Sequence, residues 1–341
     1  MKEFGSDFHY IEPDKNIHTF FDLYHGSNLY ANGRQAIQAL IFHTGWKRIW
    51  MPDYFCYEII DAIKKIDIQI CYYPDNPLSD DCREVDKLKF EDGDVLFRMN
   101  YFGLRAYRSN AGLNVPVIED HSHDLVGDWA THSNADWCIA SLRKTLPIPE
   151  GGILWSPKNH QLPEPAVQFD ENILLAKKRW KAMRLKKDYI ENKISDKNEF
   201  QKLFLETESD FDELPIAQIT EDCIAFLNKF DAKTWFQQKQ VNWNVLSDIQ
   251  SDKVQLLKRE TETCNNFSFI MLFQEAVTRD EARNLLIANS IYPAILWEIP
   301  EEKPGAKDIS DKMLSIACDG RYSTEDILIL KSKIENILKH V

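Results

Sequence analysis

No run of apolar residues in the 341-residue chain approaches the roughly 18 needed to cross a bilayer. That argues against a membrane protein. The opening stretch "MKEFGSDFHYIEPDKN" is polar and mixed in charge, unlike a secretory signal, so a cytoplasmic protein is expected. CxxC pairs are also missing. The seven cysteines, an odd number, are scattered from Cys56 to Cys318. This spacing argues against a disulfide framework or a structural zinc site, so no metal is expected and a reducing compartment is. Basic charge is short: 41 Lys and Arg against 54 Asp and Glu give a net charge of −13. Nucleic acid is therefore not an expected partner, because phosphate binding needs a basic face. Neither an internal repeat nor a low-complexity tract is visible.

What remains is ordinary for a soluble globular protein, 44% hydrophobic and 28% charged, and long enough for two domains. Helical periodicity in Gly33–Gly45 is followed by an apolar run, Arg48–Tyr54, then by the helical "YEIIDAIKKI" and by Ile68–Tyr73. Further short runs cover Asp94–Asn100, Val115–Asp124, Asp136–Ser141 and Gly152–Trp155. Short β-rich runs without alternation, separated by helices or loops, predict a mostly parallel buried sheet. Residues 171–250 read as mainly helical. A smaller α+β pattern then runs to the end and closes with a helix capped by Ser323, with Asp326 three residues on. The expected division is a large α/β domain with a helical connector over 1–230 and a small α+β domain over 231–341.

One stretch, "DWCIASLRKTLPIPEGG" (Asp136–Gly152), sets a lysine just past a strand and stiffens the following turn with Pro147 and Pro149. Asp120 ends the strand "VPVIED", at the sheet edge where open α/β folds gather active groups. Ser141 lies three residues before Lys144, and Gly33 and Arg34 open the first long helix. Pyridoxal 5'-phosphate needs these types together. It takes a lysine amine for its Schiff base, an acid for the pyridinium nitrogen, and a helix N-terminus with a hydroxyl for its phosphate.

In this order the segments "NGRQAIQAL", "MPDYFCYEIIDAI", "MNYFG", "VIEDHSHDLVG" and "SLRKTLPIPEGGIL" resemble the DegT/StrS type of pyridoxal-phosphate sugar aminotransferases. These belong to fold-type I, the aspartate aminotransferase superfamily. The resemblance spans most of residues 28–156 and, more weakly, "LSIACDGRYSTEDI". It implies Lys144 as the Schiff-base lysine, with Glu150, Gly151 and Gly152 after it. Asp120 would partner the ring nitrogen and His123 would stand near the ring oxygen. Gly33, Arg34 and Ser141 would hold the phosphate. It further implies an amino-acid donor such as glutamate, a nucleotide-linked keto sugar as acceptor, and a homodimer. Two departures stand out. "SLRK" is about two residues shorter than the family's run before the lysine. Counting also puts Cys56 where the family has a ring-stacking aromatic, which leaves Tyr54, Phe55 or Tyr57 for that place.

Each residue has a plainer reading. A lysine at a strand–loop junction is usually solvated, and Asp120 alone would serve as a turn residue. His121 reads as a satisfied core histidine. Arg143 is divided evenly between an anion ligand and a surface arginine. The run "KKRWKAMRLKK" (Lys177–Lys187) has seven cations and no acid, most often the mark of a solvated helix face. In so acidic a chain it also suits an anionic substrate, with Lys177, Lys181 and Arg184 sharing one face. Two other functions stay open: a pyridoxal enzyme of another reaction type, such as a sugar dehydratase, and a non-catalytic relative.

Overall fold

A computed structural model describes residues 3–13, 20–79, 82–164, 166–211 and 213–341, with the backbone alone at Cys82 and Arg83. After a two-residue strand β1 (Phe4–Gly5), seven strands build the main sheet. They are β2 (Asn28–Tyr30), β3 (Arg48–Pro52), β4 (Gln69–Tyr73), β5 (Asp94–Met99), β6 (Val117–Asp120), β7 (Trp137–Ser141) and β8 (Gly152–Trp155). Their order is β2-β8-β7-β6-β5-β3-β4. β8 alone runs against the rest, pairing antiparallel with β7 and β2. All the others therefore end at one edge, as the mostly parallel reading requires.

The strands read as continuous apolar runs because both faces are covered. Phe97, Met99, Ile118, Ile139 and Leu154 enter one core with the helices α1 (Gly33–Thr44) and α2 (Tyr57–Lys64). Their neighbours Leu96, Val117, Cys138, Ala140 and Ile153 enter a second core on the opposite face. That second core is roofed by α4 (Asp170–Ile190), α5 (Asn198–Asp210) and α6 (Glu221–Leu227), while a short α3 (Asp128–Thr131) follows β6. The stretch 221–249, one helical run by periodicity, breaks at 228–231. There the Asp231 side chain caps a new helix, α7 (Ala232–Ser247), by accepting the Thr234 N–H.

The C-terminal unit is a three-stranded antiparallel sheet of β9 (Val254–Leu256), β10 (Phe269–Phe273) and β12 (Met313–Ile316), in the order β12-β10-β9. It carries α8 (Ala276–Ala288), α9 (Pro304–Lys312) and α10 (Thr324–Leu338). α10 begins on the capping box formed by Ser323 and Asp326. β11 (Ile291–Tyr292) pairs with β1, which ties the chain's start to this unit. Phe269, Met271 and Leu314 share the core of the α1/α2 face, so the two sheets pack through one apolar layer.

Candidate active site

Two strand ends meet one helix start at the sheet edge. Asp120 ends β6, Ser141 ends β7, and a single turn, Leu142–Lys144, carries Lys144 beyond it. α1 begins at Gly33, capped by the Asn32 side chain, which accepts the Gln35 N–H at 2.9 Å. A Cβ on Gly33 would lie 3.2 Å from the Ser141 Cβ, so helix start and strand end touch and leave amides beside a hydroxyl. Gly152 is needed for the same approach: a Cβ there would sit 2.2 Å from the Asn32 carbonyl oxygen. Asp120 is buried, and one of its oxygens accepts the Ser122 N–H at 2.8 Å. Among the described residues no donor meets its other oxygen, and no carboxylate pairs with Lys144.

His123 lies in an aromatic cage. Its ring is stacked on Phe267 at 4.5 Å, on Phe102 at 5.4 Å and on Trp297 at 5.4 Å. Nδ1 accepts the Phe102 N–H at 3.1 Å, which leaves the proton on Nε2, and that buried atom has no partner among the described residues. Burial, then the charges of Lys144 and Lys239, push this imidazole well below its ordinary pKa, so it is neutral. The Lys144 ammonium stands 5.4 Å from the centre of the Trp297 ring. Trp297 thus borders both Lys144 and His123, and the sequence reading missed it.

The aromatic candidates beside α2 turn inward. Tyr54 gives its hydroxyl to the Leu296 carbonyl, and Phe55 packs edge-on against Phe97 at 5.1 Å; both also border Trp297. Tyr57 stacks on Tyr72 instead. Cys56 is the N-cap of α2; burial pushes its thiol up while the Lys144 charge pulls it down, which places the sulfur near that amine.

A cavity of about 260 Å³ opens beside Lys144, between the main sheet and the C-terminal unit. Its wall carries Arg143, Lys144, Arg179, Lys239 and Arg321 against Asp7 and Asp319. Most of these charges are already matched. Arg143 and Arg179 both bond Glu208 on α5, and Arg34 approaches the same carboxylate at 3.8 Å. The arginines hold Glu208 at about 2 despite its burial. Arg143 is thus a half-buried ion-pair residue rather than a surface arginine. Lys177, Lys181 and Arg184 do share the exposed face of α4, as their spacing predicts. That face does not line the cavity. Lys181 pairs with Glu199 at 2.7 Å, while Arg179 and Met183 supply the helix's contribution to the cavity wall. His121 is a core histidine, bonded to Glu119 at 3.1 Å.

Glu150 shows why an acid follows the lysine turn. It is fully buried, and one oxygen accepts both the Thr220 N–H at 2.7 Å and the Thr220 hydroxyl at 2.6 Å. This pins the segment after α5 against the start of α1. Burial raises its carboxyl to about 7, against which the Thr220 bonds pull down. A raised acid favours folding while protonated. Its contribution is complete below about pH 4.5 and is lost as pH rises through 7, about 3 kcal/mol in all. Glu150→Gln keeps the shape and the acceptor but cannot ionise. The variant is expected to match the parent near pH 4 and to exceed it by up to about 3 kcal/mol at pH 8 in urea melts. Parallel stability profiles for the two proteins would refute this account of Glu150.

No family model and no curated protein matches the chain. Its fold, however, is similar to that of solved aminotransferases. Spr1654 from Streptococcus pneumoniae, assigned as a sugar aminotransferase and solved in its PLP form, aligns over 92% of this chain and 87% of its own, with a TM-score of 0.62 and 13% identity. The aminotransferase TlmJ from Streptoalloteichus hindustanus aligns over 92% and 86%, with a TM-score of 0.61 and 10% identity. A DegT DnrJ EryC1 StrS aminotransferase from Brucella abortus aligns over 92% and 85%, at 0.57 and 12%. Identities this low establish that the fold is shared with these aminotransferases and nothing beyond it.

Proposed function

We propose that this protein is a pyridoxal-phosphate-dependent sugar aminotransferase of the DegT/StrS type. It moves an amino group from an amino acid such as glutamate to a nucleotide-linked keto sugar, as a cytoplasmic homodimer. The observation that carries this reading is the convergence of Lys144, Asp120, Ser141 and the start of α1 at one sheet edge. The residues present fit the cofactor. Amides of α1 lie against Ser141 for a phosphate, Asp120 has an oxygen without a donor, and the His123 Nε2–H has no acceptor.

When bound, the cofactor supplies an electron sink for reaction at an amine-bearing carbon. This chain does the rest. Lys144 would hold the cofactor through its amine and would be the group placed to take up and return a proton beside it. Asp120 would keep a proton on the cofactor's ring nitrogen. His123 would donate from Nε2 to the cofactor, and the α1 amides with Ser141 would hold its phosphate. A solution of the purified protein supplemented with cofactor should be yellow and should bleach on addition of an amino donor.

A second reading, a non-catalytic relative, is favoured by Trp297, whose indole stands against both Lys144 and His123. A colourless protein after supplementation supports that one. For the acceptor, the outward face of α4 supplies a test. Replacing Lys177, Lys181 and Arg184 by Gln is expected to raise acceptor KM about 10-fold and to flatten its salt dependence, with the cofactor still bound. An unchanged KM makes the run a solvated face and removes the support for an anionic sugar.

A further inference from the structure

Lys239 is the one cavity cation whose sequence position argues against it. Buried residues of α7 recur at Trp235, Phe236, Lys239, Asn242, Trp243 and Leu246, a stripe facing the interior. Lysine in such a stripe costs free energy unless something compensates its charge. Here the side chain is 1% exposed, and its Nζ has no hydrogen-bond partner among the described residues. Asp124 and Asp319 lie within Coulombic reach, but neither accepts a bond from it. Burial holds the amine down at about 8, still charged at neutral pH.

The rest of the wall narrows what Lys239 is for. Arg143 and Arg179 are matched by Glu208, and Arg321 is clamped by Asp319 at 2.9 and 3.0 Å. Among the described residues, Lys144 and Lys239 are left without a carboxylate that bonds them. A second buried polar atom in the same wall, the Thr145 hydroxyl, also lacks a partner. Ser268 and Ser315, bonded to each other at 2.7 Å, complete a polar lining. The cavity falls below the roughly 300–1,000 Å³ of sites for drug-sized ligands, so it suits something the size of an amino acid.

We propose that the Lys239 ammonium and the Thr145 hydroxyl form the carboxylate site for the amino donor, presenting it to Lys144. This rests on the reading of Lys144 as the cofactor lysine. A carboxylate would supply both missing partners at once: the counter-charge for Lys239 and an acceptor for Thr145.

The test uses the cofactor-supplemented protein and succinate, a carboxylate that carries no amine to transfer, with inorganic phosphate as a second probe. Calorimetry is expected to show succinate binding that weakens about 30-fold or more in Lys239→Met, with donor KM rising in step. Both variants remove an uncompensated buried charge, so each should melt no lower than the parent. Lys239→Gln, uncharged but polar, is expected to lose affinity as well. Unchanged succinate affinity in either folded variant overturns the site. Phosphate binding as tightly as succinate, with the same dependence on Lys239, overturns the carboxylate assignment. Calorimetry does not need turnover. A colourless protein would sink the cofactor reading while the dependence of succinate binding on Lys239 would still be measured.

Discussion

Lys144→Ala is expected to lower turnover by about 10³-fold or more while leaving the fold intact. The lysine has little structural work to lose. It forms no ion pair with a described residue, and its amine stands 5.4 Å from the centre of the Trp297 ring. Cavity, strand end and Gly33–Ser141 contact persist without it. What disappears is the amine itself, and with it the proposed covalent attachment and the proposed proton carrier. Added methylamine should restore part of the rate, because a small amine can enter the vacated space. Loss of folding in the variant, or turnover within a few-fold of the parent, would contradict the assignment.

Asp120→Asn is expected to cost about 10²- to 10³-fold in kcat, the scale seen when one preorganised electrostatic partner is removed. The amide still accepts the Ser122 N–H, so the turn after β6 should hold. The lost element is the negative charge that, on this proposal, would keep the ring nitrogen protonated. Cofactor retention should weaken less than turnover, which separates an electronic role from a binding one. A variant that transaminates at the parental rate would show that Asp120 is a turn residue and nothing more.

Much of this site was legible because the chemistry sits at strand ends, and the strands announce themselves. Apolar runs buried on both faces placed Asp120 and Ser141 within a residue of where β6 and β7 end. The start of α1 was legible from its glycine and the periodicity behind it. Side-chain direction was not. Tyr54 and Phe55 stood near the right place, but both turn into the core. The ring that faces Lys144 is Trp297, more than 150 residues away, in a segment that is a loop beyond Tyr292. Nothing local in "YPAILWEI" marks that contact, because tertiary packing sets it.

The charges divide in the same way. The spacing of Lys177, Lys181 and Arg184 gave their common face correctly, yet the cation that α4 sends to the cavity is Arg179 on its other side, and Lys239 on α7 joins it there with Arg143, Lys144 and Arg321. Lys239 could have been found, since a lone lysine in the stripe of Trp235, Trp243 and Leu246 is an anomaly. Arg143 could not, because Glu208, which pairs with it, lies 65 residues on in a helix that periodicity merged with its neighbours.

The central claim is that Lys144 carries the cofactor, and borohydride trapping tests it most directly. The supplemented protein is reduced, digested and mapped by mass spectrometry. The account predicts one modified peptide, with the label on Lys144. A label on Lys239 or on any other lysine, or no label on a folded protein, would contradict it.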